Sequence, residues 1–468
     1  MAQNFIACGR EQELLLPPSL REWLPEGHFA WFLLDAVEEM DLSAFYAAYR
    51  LDGLGRPAHD PALMVAVLLY GYARGVRSSR KIERALVEDV AFRVIAANQV
   101  PDHTTIARFR RRHEAALGGL FGEVLALCAE AGLVEVGVVA IDGTKLHANA
   151  CKDQNLGYEQ IAREILAEAD AVDREEDERY GEGQRGDVLP PEFRSSHGRR
   201  GWIREAKQRL EERREVEARP IPNSRPERLR ECRRRLEEEL AVERRAVERQ
   251  DEVWAARVAA GKQPKARPPK PYLPPERPPG EINVSDPDSR RLKGPRGYLQ
   301  GYNAQAAVSD GQVVIAAEVN ADAPDFGHLE PMVSAAQDEL GRAGVSDTPG
   351  VVVADAGYWN QEHMEAVVNR GIQVLVRPDA AKRRGPRPGW EGGLYTFMRR
   401  VLSTEQGGRL YRQRQAMIEP VFADTKFNRR IDRFLRRGRA AARSEWRLIT
   451  ATHNLLKLHR HQLRAAAA

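Results

Sequence analysis

The chain has 468 residues, of which 42% are hydrophobic and 30% charged, with a formal net charge of +4. At roughly 150 residues per domain this length predicts two to four domains, and the charged fraction exceeds the ~25% of an average globular chain. No apolar run of about 18 residues is present, so we expect no membrane-spanning helix. The N-terminus has no signal-peptide pattern and the four cysteines are scattered, so we expect a soluble protein of the reducing cytoplasm.

Residues 1–130 are predicted to form an all-helical domain, because apolar positions recur at helical spacing. Within it, 78–117 predicts two short helices, one capped at Ser78 and one capped at Thr104 that continues to Leu117. The second helix has a basic face formed by Arg108, Arg111 and Arg112. This arrangement is typical of a helix-turn-helix-like DNA-binding unit, with an ordinary helical hairpin bearing a solvated basic face as the alternative.

The rest of the chain predicts an α/β core interrupted by an insertion. A β-branched run at 134–149 predicts a buried strand and turn, and strand and helix patterns alternate again from 295 to 465. Between them, 150–263 is rich in Glu and Arg with aliphatic residues at helical steps, which predicts a charged helical hairpin or short coiled coil. Eight prolines between 264 and 279 predict a stiff linker over 264–294.

Two of the predicted core strands end in an aspartate, Asp142 and Asp355. Ligands of α/β sheets gather where strand ends open into loops, and two acids placed there stay ionised only if a cation lies between them. A pair of divalent ions roughly 3.5–4 Å apart suits phosphoryl transfer on a nucleic-acid backbone. Capping of a turn is the alternative role for each aspartate.

A third acid, Glu419, lies in a basic helical region and shares a helix face with Lys426, seven residues on. Pro420 predicts that the helix starts or kinks near Glu419. From 424 to 464 there are 12 Lys or Arg residues against 3 Asp or Glu. Such a stripe is usually a solvated face, but beside a metal site it favours phosphate binding.

At these residues the chain resembles the DDE transposases of bacterial insertion sequences. It resembles in particular the branch with an InsH-like (DUF772) N-terminal domain ahead of an RNase H-like catalytic core. Eight segments carry the resemblance in the same order: HFAWF at 28–32, DPALM at 60–64, SSRKIE at 78–83, PDHTTIARFR at 101–110, DGTK at 142–145, GYNAQ at 301–305, ADAGY at 354–358 and EPVF at 419–422.

The resemblance implies a catalytic and metal-binding triad of Asp142, Asp355 and Glu419. It also implies two Mg²⁺ ions, for which Mn²⁺ could substitute. The Tyr-Arg-Glu-Lys signature of the family maps to Tyr411, Arg414, Glu419 and Lys426, whose basic members would grip backbone phosphates. The gap from Arg414 to Glu419 holds four residues instead of the three of the broader superfamily, so Arg412 is the alternative arginine.

Tyr358 and Trp359 directly follow Asp355. They are either core aromatics or rings that stack on a base displaced from the DNA end. We include both among the predicted DNA-binding residues.

The predicted function is that of a transposase that binds double-stranded DNA at terminal inverted repeats, hydrolyses a phosphodiester at each end and joins the ends to target DNA. A catalytically inactive or domesticated DNA-binding protein is the main alternative, and an RNase H-like nuclease that cleaves without joining is the third. Joining two ends implies a homodimer in the synaptic complex. We expect the protein at the bacterial nucleoid in the cytoplasm, without a membrane partner.

Overall fold

The computed structural model describes residues 19–49, 57–165, 203, 206–207, 209–211, 213–214, 221–259, 275–294, 297–322, 324–379 and 392–467. All structural statements below concern these residues.

The N-terminal part is helical, as predicted. Its helices are α1 (Phe29–Glu39), α2 (Ser43–Tyr46), α3 (Pro61–Ala73), α4 (Ser79–Glu88), α5 (Val90–Ile95), α6 (His103–Arg112) and α7 (Glu114–Glu130). Helix α3 is apolar on all sides, and from Met64 to Ala73 every residue is buried. Its N-terminus is capped by Asp60, whose carboxylate accepts the amide hydrogen of Ala62, and Pro61 occupies the first turn, where proline is favoured.

The predicted helix-turn-helix-like unit contains one more helix than expected, since the short α5 lies between α4 and α6. Helix α6 is capped by Asp102, whose carboxylate accepts the amide hydrogen of Thr105 at 2.7 Å, and not by Thr104. It ends at Arg112, and α7 begins two residues later instead of continuing the same helix to Leu117. The buried Arg110 donates to the carbonyl of Arg77 at 2.7 Å and so holds α6 against the start of α4.

The core sheet has six strands: β1 (Val138–His147), β4 (Arg290–Gly294), β5 (Gly297–Ser309), β6 (Val314–Asn320), β7 (Val351–Ala354) and β8 (Gln373–Val376). Strand β5 pairs antiparallel with β1, with β6 and, at its start, with β4. On its other edge β1 pairs in parallel with β7, and β7 pairs in parallel with β8. The resulting order β6-β5-β1-β7-β8 is a mixed sheet, and the predicted RNase H-like α/β fold class is confirmed.

Five further helices complete the core: α9 (Leu329–Arg342), α10 (Gln361–Val368), α11 (Gly393–Ser403), α12 (Glu405–Ala423) and α13 (Arg439–Ala467). Helix α12 packs on β1, β5 and β7, while α13 packs on β5 and β6 and also on α3 and α7. On α13, Trp446 is fully buried and donates to the carbonyl of Gln305 at 2.8 Å. One hydrophobic core therefore runs from the N-terminal helices into the sheet.

The inserted region contains α8 (Arg225–Ala259), a helix of 35 residues. The aliphatic residues that recur at helical steps along it are all buried: Leu229, Leu236, Leu240 and Val247. Ala206 packs with Ala246, and Arg214 pairs with Glu238 at 2.9 Å, so the helical residues that the structure describes between 203 and 214 lie beside α8. This arrangement agrees with the predicted charged helical hairpin.

The linker predicted over 264–294 extends too far. Strand β3 (Glu281–Asn283) pairs with β2 (Asn155–Gly157), and β4 belongs to the core sheet. Proline content alone marked the segment as extended, and only pairing with distant strands turns its second half into sheet. The predicted linker over 264–274 lies outside the described residues.

Helix α12 runs without interruption through Pro420, where the sequence predicted a start or a kink. Proline cannot donate to the carbonyl four residues earlier, that of Ala416. The side-chain amide of Gln312 donates to this carbonyl at 2.9 Å and takes the place of the missing backbone donor. The helix then widens into a π-helical turn at Asp424–Asn428.

No helix in the described part of the chain is both long enough and apolar enough to cross a membrane.

Candidate active site

The structure brings Asp142 and Asp355 to the same edge of the parallel part of the sheet. The parallel ladder between β1 and β7 ends with Ile141 opposite Ala354, and each aspartate directly follows this pair. Adjacent strands lie about 4.8 Å apart, so the two side chains start from neighbouring backbone positions. Strand β1 does not end at Asp142 as predicted, because its antiparallel pairing with β5 continues to His147.

Both carboxylates lie in an environment that disfavours their ionised forms. Burial raises the pKa of Asp142 to about 6, the Arg414 guanidinium opposes this shift, and the nearby carboxylates of Asp355 and Asp325 add to it. Burial likewise raises the pKa of Asp355, although the amide of Gly357 donates to its carboxylate at 2.7 Å and lowers the pKa in part. A positive charge placed between the two aspartates would relieve this cost.

A third aspartate that the sequence analysis missed, Asp325, lies at the same place. It lies in the loop between β6 and α9, and both Asn303 and Gln305 of β5 donate to its Oδ1 at 2.8 Å. A Cβ built on Gly357 would lie 2.9 Å from Oδ1 of Asp355 and 3.2 Å from Oδ2 of Asp325, so the two carboxylates face one point. The available signal was the pair of amide side chains at alternate positions of the GYNAQ segment, followed by an acid after the next strand.

Helix α12 contributes Arg414 and Tyr411. The Arg414 side chain is buried and its Nη1 lies 2.5 Å from Oδ2 of Asp142. The Arg414 guanidinium also lies 5.9 Å from the centre of the Tyr411 ring. Burial of Tyr411 raises the pKa of its hydroxyl. The arginine predicted to grip phosphate therefore pairs with the first aspartate, and the alternative, Arg412, is exposed.

Glu419 is not brought into contact with the two aspartates. Its side chain is exposed, and no hydrogen bond or ion pair joins it to another residue that the structure describes. Glu419 follows Arg414 by five residues on α12. At 100° per residue, the two side chains therefore point in directions about 140° apart around the helix axis. The role of Glu419 as the third triad member remains a prediction.

Lys426 lies on the π-helical turn after α12. Its ammonium donates to the carbonyl of Lys145 at 3.1 Å, three residues along β1 from Asp142. At about 3.3 Å per residue this places it roughly 10 Å along the strand from the acidic pair. Lys426 and Arg414 thus contact strand β1 at two different points, Lys145 and Asp142.

The predicted stacking role of Tyr358 and Trp359 does not fit their placement. Tyr358 is fully buried with its hydroxyl donating to Gln305, and Trp359 is only 8% exposed. Neither ring has a free face for a base, so the core alternative describes them better. By contrast, Phe427, next to Lys426, is 77% exposed, and Phe326, next to Asp325, is 47% exposed.

The predicted basic surface of α6 is present. Arg108, Arg111 and Arg112 are exposed, and the Arg112 guanidinium lies over the Tyr49 ring at 4.5 Å. Part of the basic stripe at 424–464, in contrast, is internal: Arg429 and Arg447 are buried, and Arg447 donates to Glu339 at 2.7 Å. These two guanidiniums bind acids and carbonyls of the same chain. The count of basic residues in the stripe is therefore larger than the number that could contact phosphates.

A hard divalent cation suits the oxygen donors at the sheet edge. In the described part of the chain no three His, Cys, Asp or Glu side chains already surround one point as metal ligands. Asp142 and Asp355 nevertheless converge there, and one oxygen of Asp142 is held by a cationic side chain, Arg414. The donors fit Mg²⁺ or Mn²⁺, and Asp142 and Asp355 are the residues that would hold it.

Two family models match the chain. The transposase domain DUF772 matches residues 18–112, and the transposase DDE domain matches residues 274–455. Comparison with curated proteins and with solved structures gives no match.

The fold and these matches support a transposase of the DDE class. The order of the two matched domains, DUF772 before the DDE domain, is similar to that of the insertion-sequence DDE transposases in the branch with a DUF772 domain at the N-terminus. The match to the DDE domain supports an enzyme that acts on DNA, and enzymes of this family typically use a divalent metal.

Proposed function

We propose that this protein is an active insertion-sequence transposase that cuts DNA at terminal inverted repeats and joins the freed 3′ ends to target DNA. The observation that carries the proposal is the convergence of Asp142 and Asp355, from distant parts of the sequence, at one sheet edge. Bound there, two Mg²⁺ or Mn²⁺ ions would activate the attacking oxygen and stabilise the leaving oxygen.

The side chains around the pair have distinct tasks in this proposal. Asp142, Asp355 and Glu419 would hold the metal ions, with Glu419 assigned by the resemblance to the DDE transposases and not by a contact with the two aspartates. Arg414 exchanges its partner Asp142 for a DNA phosphate, and Lys426 holds a second phosphate further along β1. Tyr411 stacks beside Arg414 and limits where the guanidinium can move.

DNA recognition is assigned to the exposed arginines of α6, and synapsis of two ends to a homodimer formed on DNA. Such a protein works at the nucleoid in the bacterial cytoplasm. The main alternative, a DNA-binding protein without catalysis, uses the same arginine face.

The test uses labelled DNA from both flanks of the reading frame and purified protein with Mg²⁺. Wild type is compared with Asp142→Asn, Asp355→Asn and Glu419→Gln, and with the exposed control Asp338→Asn. We expect wild type and the control to cut at the repeat ends, and the three variants to bind the ends without cutting. Binding without any cutting by wild type, in Mg²⁺ or Mn²⁺, would favour the alternative.

A target plasmid added to the same reaction separates a transposase from a nuclease. Covalent joining of labelled ends to the plasmid supports the proposal. Cutting without joining would instead identify an RNase H-like nuclease.

A further inference from the structure

We propose that Asp325 is a fourth acidic residue of this active site, directed at the same metal ions as Asp142 and Asp355. The inference deepens the proposed function and rests on it for the identity of the reaction. It concerns a residue outside the predicted triad.

The position of Asp325 is fixed by two buried amides of β5. Asn303 and Gln305 are each only 1% exposed, and both donate to Oδ1 of Asp325 at 2.8 Å. Gln305 is itself held by the Tyr358 hydroxyl. Residues that orient a ligand side chain in this way are a regular feature of metal sites.

Oδ1 of the buried Asn303 has no hydrogen-bond partner, and this independent observation points to a ligand. A Cβ built on Gly143, next to Asp142, would lie 2.6 Å from this oxygen and 2.7 Å from Oδ1 of Asp325. Both oxygens thus face the backbone beside Asp142. An unpaired buried carbonyl is costly, and a cation or a water molecule bound to a cation would satisfy it.

The charges at the site also favour a cation. The carboxylates of Asp325 and Asp355 face one point beside Gly357, and Asp142 follows the strand that pairs with the strand before Asp355, with Arg414 supplying one positive charge at Asp142. Carboxylates crowded in this way repel one another unless a cation offsets them. Asp322, in the same loop, pairs instead with His328 at 3.2 Å, and its side chain is 62% exposed.

The experiment measures Mn²⁺ binding to the full-length protein by electron paramagnetic resonance, both alone and with a DNA end duplex. Wild type is compared with Asp325→Asn and with the matched loop control Asp322→Asn. We expect wild type and the control to bind Mn²⁺ equally, and Asp325→Asn to bind it about 10- to 100-fold more weakly. Thermal unfolding of each variant verifies that the fold is intact.

A second variant, Gly143→Ala, tests the same point without changing an acid. Its methyl group would displace the amide nitrogen of Gln305 and the oxygens of Asn303 and Asp325, because all three atoms lie under 3.0 Å from the added carbon. We expect the same loss of Mn²⁺ affinity. Unchanged Mn²⁺ affinity in both variants, or no Mn²⁺ binding by wild type with or without DNA, overturns the inference.

The outcomes also separate this inference from the proposed function. If Asp325→Asn weakens Mn²⁺ binding but wild type never cuts DNA, the metal role of Asp325 stands and the transposase activity fails. If wild type cuts and joins DNA while Asp325→Asn binds Mn²⁺ and cuts as well as wild type, the activity stands and the role of Asp325 fails.

Discussion

At the scale of single residues, the most exposed large hydrophobic side chain next to the site is Phe427, at 77%. A ring so exposed packs little in the folded chain, so Phe427→Ala should change the free energy of unfolding by less than about 0.5 kcal/mol. If the ring stacks on an unpaired base, the variant should bind end DNA with a frayed terminus about 10- to 100-fold more weakly.

Fluorescence anisotropy with frayed and fully paired duplexes measures this difference. Phe397→Ala, which removes a 56% exposed ring from α11, is the matched control. Equal affinities of Phe427→Ala and wild type for the frayed duplex would assign Phe427 no role in stacking.

Asp286 is a buried carboxylate outside the acidic site. Its Oδ1 accepts from the Tyr302 hydroxyl at 2.8 Å, while its Oδ2 has no partner. Burial raises its pKa to about 6, and the neighbouring Asp288 carboxylate adds to the shift, although Asp288 itself pairs with Arg235. Because the folded-state pKa is raised, the stability contributed by Asp286 is full below the unfolded-state pKa and is lost as pH rises through about 6.

The variant Asp286→Asn stays neutral at every pH and should remove this dependence. We expect its free energy of unfolding, relative to wild type, to be most favourable near about pH 8 and to fall toward about pH 5. Urea titrations across this range measure the difference, with the exposed Asp338→Asn as control. Parallel stability curves for Asp286→Asn and wild type would mean that Asp286 does not titrate in this range.

At the scale of elements, the arginines of α6 fall into one buried structural residue and three exposed ones. Arg110 is buried and bound to the start of α4, whereas Arg108, Arg111 and Arg112 are exposed. Each exposed arginine that contacts a phosphate should, when replaced by alanine, reduce the slope of log K against log salt concentration by about 0.9. Arg110→Ala should instead lower the free energy of unfolding.

Salt titrations of DNA binding measure these slopes. The control is Arg230→Ala, which removes an exposed arginine from α8. An unchanged slope in all three α6 variants would identify the helix as a solvated face, the alternative that the sequence left open.

At the scale of the whole molecule, a buried ion pair ties the N-terminal helices to the C-terminal helix. Arg77 pairs with Glu445 at 2.6 Å, and Glu445 also accepts the amide of Leu435 at 2.9 Å. Breaking a buried pair leaves an unpaired charge, so Glu445→Gln should cost about 3–5 kcal/mol of unfolding free energy. The exposed pair Arg84–Glu88 provides the control, since Glu88→Gln should cost less than about 1 kcal/mol.

Urea denaturation measures both losses. A loss for Glu445→Gln no larger than that for Glu88→Gln would show that the pair is not a stabilising link between the two parts of the chain.

The shared core leads to a second prediction at this scale. Helix α13 covers buried faces of α3 and α7, so a fragment of residues 1–130 would expose them. We expect this fragment to unfold over a broad temperature range and to bind a hydrophobic dye. The same fragment joined by a flexible linker to residues 439–467 should unfold more sharply, as followed by circular dichroism. Sharp unfolding of the fragment alone would support 1–130 as an independent domain.

Local pattern and the family resemblance were sufficient for the fold class, most core strands and helices, and the placement of Asp142 and Asp355 close together at one edge of the sheet. These features depend on short-range periodicity and on strand ends, which are visible along the chain. The aliphatic stripe of α8 was predictable for the same reason.

Only the tertiary structure decided the features that depend on distant partners. Gln312 replaces the hydrogen bond that Pro420 cannot make, and pairing with β5 converts part of the predicted linker into β4. Arg429 and Arg447 lie inside the protein although they belong to a basic stripe, and Asp325 joins the acidic pair through amides of β5. The sequence by itself determined which residue types and elements are present, whereas their burial and pairing follow from long-range packing, which spacing along the chain does not encode.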